Sequence, residues 1–176
     1  MTRILLVGFM AAGKTTLGKA LARDLGLQFV DLDHYIENRY HRSVSQLFAD
    51  RGEEVFRQIE RNMLHEVAEF EDVVISTGGG TPCFFDNMEY MNSKGTTVFL
   101  EAAVDVIHTR LTIARVQRPL VKDKTPEELR AYIAHMLEQR MPYYSQAHHT
   151  FCADHLENIC QVEESVKLFK KEILRA

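Results

Sequence analysis

Gly8-Phe9-Met10-Ala11-Ala12-Gly13-Lys14-Thr15 is the stretch on which the reading of this chain turns. It satisfies G-x-x-x-x-G-K-[ST] at each specified position, with the apolar run Ile4 to Val7 before it and a helical pattern closing at Gly26 after it. The chemistry explains the pattern. Glycines let backbone N–H groups converge on phosphate oxygens, and the N-terminus of the following helix adds a favourable dipole. Lys14 then reaches the β- and γ-phosphates and the Thr15 hydroxyl can ligate Mg²⁺, while Gly8, Ala11, Ala12, Gly13 and Thr16 complete the ATP loop. A glycine-containing turn without a ligand is the plainer alternative, but it leaves Lys14-Thr15 as an accident. The loop alone does not say kinase, GTPase or motor.

Further apolar runs at Phe29 to Val30, Val73 to Ile75 and Val98 to Leu100, with a weaker one at Thr150 to Cys152, are separated by stretches of helical period. Strands alternating with helices predict an α/β fold whose parallel sheet is covered on both faces. Gly26 suits the left-handed cap of a helix over Thr15 to Leu25, and Gly52 follows a short helix opened by Ser43. Phe56, Ile59, Met63 and Val67 form one stripe of a helix from about Glu53 to Phe70. Thr125-Pro126-Glu127-Glu128 carries a capping box with Pro at the first helical position, predicting a helix to about Arg140. A last amphipathic helix is expected from about Val162 to Leu174. Residues 110 to 124 hold Arg110, Arg115, Arg118, Lys122 and Lys124 against Asp123, which reads as a mobile anion-binding loop.

The 176 residues, 45% hydrophobic and 26% charged, suffice for a core without staples and predict a single domain over 1–176. Lys plus Arg number 21 against 25 Asp plus Glu, a net charge of -4, which is a poor footprint for a nucleic-acid binder. Cys83, Cys152 and Cys160 lack CxxC spacing, so neither a disulfide framework nor a zinc site is expected, and a reducing, cytoplasmic compartment is. The run from Ile4 imitates a secretory signal until Gly8 and Gly13 break it before Lys14. No other apolar stretch nears the ~20 residues of a membrane span. Nothing demands more than a monomer.

Other motifs narrow the chemistry: Asp31-Leu32-Asp33 after the second strand, Gly52-Glu53-x-x-Phe56-Arg57-x-x-Glu60, Gly78-Gly79-Gly80 after the third, Arg118-Pro119-Leu120, and Arg140-x-x-x-Tyr144. In order and spacing, from about Ile4 to Ala147, they resemble the shikimate kinases. That resemblance implies a P-loop NTPase type of fold with a five-stranded parallel sheet in the order 2-3-1-4-5 and a mobile lid over about 112–124. It implies transfer of the ATP γ-phosphate to the 3-hydroxyl of shikimate, on the route to chorismate and the aromatic amino acids. By the same resemblance Arg57, Gly79, Gly80 and Arg140 bind shikimate, and Asp33 holds the reacting hydroxyl as base. Asp31 lies on the Mg²⁺ side through water, Gly78 helps place the γ-phosphate, Arg118 closes over the transferring phosphoryl group, and Arg110 stacks on adenine. The loop interior, Met10-Ala11-Ala12, departs from the extra Gly or Ser of many relatives.

Each of these residues also has an ordinary explanation. Arg57 has Glu53 four residues before and Glu60 three after it, which suffices for a surface ion pair on a helix. Arg140 would favour a helix C-terminus, and Arg110 would be a solvated helix arginine. Asp33 would cap a helix beginning at His34, Asp31 would be a turn carboxylate, and the triple glycine a flexible turn. The rival functions are another small-molecule P-loop kinase, acting on gluconate or a nucleoside monophosphate, and a nucleotide-binding module without catalysis.

Overall fold

The apolar run ahead of the phosphate loop becomes the middle strand of the sheet. In the computed structural model, which describes residues 1–114 and 124–174, the strands are β1 Arg3–Val7, β2 Gln28–Asp31, β3 Val73–Ser76, β4 Thr96–Glu101 and β5 His149–Cys152. They form one sheet in the order β2-β3-β1-β4-β5 with every neighbouring pair parallel, as expected. Ile4 to Val7 are all fully buried, which only a central strand covered on both faces requires.

Because side chains alternate along a strand, β1 feeds two cores. Ile4 and Leu6 join Leu17 and Leu21 of α1 (Lys14–Leu25), Ile107 of α5 (Val104–Ile113), Ile133 of α6 (Pro126–Tyr144) and Phe169 of α7 (Ile159–Phe169). Leu5 and Val7 join Ile36 of α2 (Leu32–Tyr40), Leu47 and Phe56 of α3 (Val44–Val67) and Met91 of α4 (Asn87–Lys94).

The expected helix signals operate. Gly26 caps α1 at φ 68°, and Ser43 and Thr125 form capping boxes with Gln46 and Glu128. Gly52, at φ 78°, interrupts α3, so a short helix and a long one meet there at an angle no continuous helix allows. Three boundaries differ from expectation. The long part of α3 stops at Val67, before Phe70. Helix α6 continues past Arg140 to Tyr144 with Pro142 inside it, because burial of Tyr144 holds the last turn. Helix α7 begins at Ile159, capped by Asn158, and passes into a π turn over Lys170–Leu174.

Register sets the site. Leu6 pairs with Ser76 and Ser76 with Asp31, so the chain leaves β1, β3 and β2 side by side at the carboxyl edge of the sheet. Thr77 fastens this edge, its backbone N–H and its hydroxyl both donating to Leu6 O at 3.1 and 3.0 Å. The phosphate loop, Asp31 with Asp33, and the triple glycine therefore start from one row. Most of the expected lid, Arg118 included, lies outside the described residues.

Candidate active site

The loop between β1 and α1 has the conformation its sequence requires. Gly8 stands at φ 143°, where a β-carbon would come within 2.7 Å of Leu100 O, and Gly13 at φ 103° begins the helix without a side-chain cap. The first N–H groups of α1 are thus left for an anion. Ala11 takes a left-handed φ of 61°, a conformation that costs a residue with a β-carbon roughly 1–2 kcal/mol. Lys14 is buried, and its Nζ donates to Gly8 O and Phe9 O at 2.7 and 2.8 Å, holding the ammonium at the loop.

Asp31, and not Asp33, caps α2. Asp31 Oδ1 accepts from His34 N–H at 3.3 Å, while its Oδ2 accepts from the Thr15 hydroxyl at 2.9 Å. The reason is the chain direction: β2 runs straight into a helix that starts at Leu32, which places Asp33 inside the first turn. Thr15 and Asp31 offer a hydroxyl and a carboxylate oxygen beside the phosphate loop. Among the described residues no group of three or more His, Cys, Asp or Glu could hold a metal by itself. Two hard oxygen donors, with phosphate and water to complete the shell, suit Mg²⁺ and not a dedicated protein cage.

Asp33 faces the other way along the site. Burial, with the charges of Asp31 and Glu60, pushes its carboxyl up to about 6, and Lys14 opposes them. Glu60 Oε1 and Asp33 Oδ1 lie 3.0 and 3.1 Å from the point a β-carbon on Gly78 would occupy. On Gly79 that carbon would meet Arg140 Nη1 at 3.2 Å and Met10 N at 3.3 Å, and on Gly80 it would meet Arg57 Nη2 at 2.9 Å. Three successive glycines thus face three different partners, the acids, then Arg140 with the phosphate loop, then Arg57. A flexible turn does not describe them.

The ion-pair account of Arg57 holds only in part. It bonds to Glu53 Oε1 through Nε and Nη2 at 3.3 and 3.2 Å and to Glu60 Oε2 through Nη1 at 2.9 Å, so the helical ion pairs exist. They are not a surface feature, for the Arg57 side chain is 12% exposed and that of Glu60 2%. Arg140 Nη1 is buried without a hydrogen-bond partner among the described residues, and its guanidinium lies 5.4 Å over the Phe9 ring. A buried guanidinium nitrogen with no acceptor is a place for an anionic oxygen.

Arg110 is no solvated arginine. Its Nη1 donates to Ala11 O and Ala12 O, its Nη2 to Ala153 O and Asp154 O, and Nε with Nη2 to Glu157, tying the phosphate loop to the segment after β5. Every edge of the guanidinium is occupied, which fixes its plane. A cavity of about 480 Å³ joins Lys14, Thr15, Asp31, Asp33, Gly78, Gly79 and Arg110. A second, of about 840 Å³ between α1 and α7, shares Thr16, Leu156 and Glu157 with it. Arg57, Gly80 and Arg140 line neither and connect through the glycine run.

Sequence reasoning did not single out Glu60, Thr81 or Tyr144 for roles of their own. Tyr144 is fully buried, its ring stacked on Phe99 at 5.1 Å and its hydroxyl donating to Gly79 O at 2.6 Å, so it holds the middle glycine from below. Its spacing from Arg140 was the available signal. Cys83 is half-buried near Arg57 and Arg140, and burial raises its thiol.

The strand order and the loop define a protein of the P-loop NTPase type. A family model described as shikimate kinase matches residues 10–173. The shikimate kinase of Phocaeicola vulgatus is 58% identical over 98% of this chain and 99% of its own. The crystal structure of shikimate kinase from Bacteroides thetaiotaomicron superposes with a TM-score of 0.96 at 56% identity, covering 99% of both chains. That from Acinetobacter baumannii in complex with shikimate gives 0.84 at 31% identity, covering 99% and 94%. The chain belongs to the shikimate kinase family.

Proposed function

We propose that the chain transfers the γ-phosphate of ATP to the 3-hydroxyl of shikimate, giving shikimate 3-phosphate and ADP, with residues 1–176 acting as one kinase domain. The observation that carries the residue assignment is the triple glycine, whose members face Asp33 with Glu60, Arg140 and Arg57 in turn. A clamp for an acceptor carboxylate and a base for its hydroxyl then lie along one backbone run that touches the phosphate loop.

In this reading Arg57 and Arg140 hold the shikimate carboxylate by charge-assisted hydrogen bonds, and Gly79 and Gly80 admit the ring by having no side chain. Asp33 orients the 3-hydroxyl and takes its proton as oxygen bonds to the γ-phosphorus, while the bond from that phosphorus to the β,γ-bridging oxygen breaks and ADP leaves. Lys14 exchanges its loop carbonyls for β- and γ-phosphate oxygens. The faces of Arg110 stack against the purine, whose outer edge continues toward the groove between α1 and α7. Arg118, assigned by resemblance alone, adds charge at the transferring oxygens. When bound, Mg²⁺ neutralises charge on the phosphates, and Thr15 and Asp31 are the residues that would hold it.

The parts assigned here all come from one chain, which supports a monomeric catalyst. No described helix is long and apolar enough to cross a membrane. Free Cys83, Cys152 and Cys160 support the cytoplasm as its compartment.

A coupled ADP-release assay with Mg-ATP, run with and without shikimate beside gluconate and nucleoside monophosphates, tests the function. Release that depends on shikimate is expected. Release with another acceptor would discard the two-arginine pocket, and no release would indicate a binding module.

A further inference from the structure

The turn after the triple glycine is built against Arg57 from two directions. Thr81 opens a 3-10 turn over Thr81–Cys83 and is fully buried, and its hydroxyl donates to Glu60 Oε1 at 2.6 Å. Two residues beyond the proline of that turn, the Phe84 ring lies 4.0 Å beneath the Arg57 guanidinium, closer than Phe48 or Phe56 at 5.4 Å each. The turn is pinned at both ends by one buried residue. Asn87 Nδ2 donates to Thr81 O at 2.9 Å, and Asn87 N–H donates to Phe84 O at 3.2 Å.

We propose that Thr81 and Phe84 are positioning residues that keep Arg57 available to a substrate carboxylate. This rests on the reading that Arg57 binds that carboxylate. Glu60 has two oxygens and a neighbour with a fork of donors, so its unconstrained preference is to take the fork bidentately. The Thr81 hydroxyl occupies one of those oxygens, and Glu60 then reaches Arg57 through Oε2 alone. Of the five guanidinium N–H groups, Nε and one on Nη2 go to Glu53 and one on Nη1 goes to Glu60, leaving one on each terminal nitrogen for the ligand. Phe84 acts on the remaining freedom. Its face fixes the plane in which those two donors point, through a cation–π contact in a largely desolvated place.

The test uses the full chain and steady-state kinetics with each substrate varied. Thr81→Val keeps the shape and removes the donor, and Phe84→Leu removes the aromatic face. Each is expected to raise KM for shikimate by roughly tenfold, with kcat and KM for ATP within about twofold of the parent. Thr81→Ser and Phe84→Tyr are expected to restore the parent value. With a shikimate analogue carrying hydroxymethyl in place of carboxylate, parent and variants should be alike. Should Thr81→Val fail to fold, Phe84→Leu carries the same test, because its ring is only half-buried. A shikimate KM unchanged in these variants while Arg57→Ala raises it overturns the proposal, as does a change shared equally by kcat and both KM values. A KM unchanged in Arg57→Ala too overturns the reading on which the proposal rests.

Discussion

Asp33 and Glu60 converge on Gly78, with Oδ1 of one and Oε1 of the other 3.1 and 3.0 Å from the same vacant β-carbon position. Glu60 is paired with Arg57 and accepts from the Thr81 hydroxyl, whereas for Asp33 burial and like charge outweigh Lys14, and its carboxyl rises from 3.8 to about 6. The native state therefore holds a proton that the unfolded chain releases between those values, so this contribution to stability is present at low pH and lost as pH rises to about 6. Its size is on the order of 2–3 kcal/mol. An amide at this position has no such dependence: Asp33→Asn is expected to match the parent near pH 4 and to exceed its urea stability near pH 8 by about that amount. For the parent, kcat/KM for shikimate should rise with pH to a plateau with its midpoint near 6, since only the carboxylate accepts the proton. Turnover by Asp33→Asn should fall about 10²–10⁴-fold.

Asp31 caps α2 through one oxygen and accepts from Thr15 through the other, where the proposed function would have it hold Mg²⁺, and substitution can separate the two duties. Asp31→Asn keeps a capping oxygen and loses the charge, so its stability should stay within about 0.5 kcal/mol while the Mg²⁺ concentration for half-maximal ADP release rises roughly tenfold. Asp31→Ala loses the cap as well and should cost about 1 kcal/mol more in thermal unfolding.

The glycines predict a graded pair of phenotypes. A methyl on Gly80 meets the far end of Arg57 first, so Gly80→Ala should raise KM for shikimate and leave KM for ATP unchanged. On Gly79 it would press both on Arg140 and on the backbone N of Met10, so Gly79→Ala should raise both constants, by roughly tenfold each. Steady-state kinetics of the two variants checks the order.

How much of this was legible in the sequence depends on whether a residue's partner lies nearby along the chain. The phosphate loop, the caps at Ser43 and Thr125 and the break at Gly52 are local, and each follows from neighbours within a few residues. The strand order came by resemblance, since nothing in Ile4 to Val7 says that β3 and β4 flank it. The capping role expected as the ordinary alternative for Asp33 falls to Asp31, because both spacings allow a cap and only the place where β2 ends decides between them. Arg57 was legible as to its partners and not as to its burial, to which Phe84 and Gly80, more than twenty residues on, contribute. For the same reason Tyr144 showed in the sequence only by its spacing from Arg140, while its bond to Gly79 spans 65 residues.

That contact gives a fourth prediction. Tyr144→Phe leaves Gly79 O without its donor and should cost about 1–2 kcal/mol in chemical unfolding, with the ring still stacked on Phe99. Because the carbonyl belongs to the glycine between Arg140 and the phosphate loop, kcat should fall more than either KM changes. An equal loss in a variant of a buried tyrosine hydroxyl far from the glycines would not show that split.

Alternation along β1 divides more than packing. Ile4 and Leu6 stand with the helices beneath the nucleotide loop, Leu5 and Val7 with those that carry Asp33 and Arg57, and the sheet lies between. Arg140 crosses between them, carried by α6 of the first core yet reaching the glycine run, so the two layers meet at the site and are not independent there. A cavity cut at Leu21 therefore loosens the support of one layer and a cavity cut at Leu47 that of the other, with the sheet standing between the two.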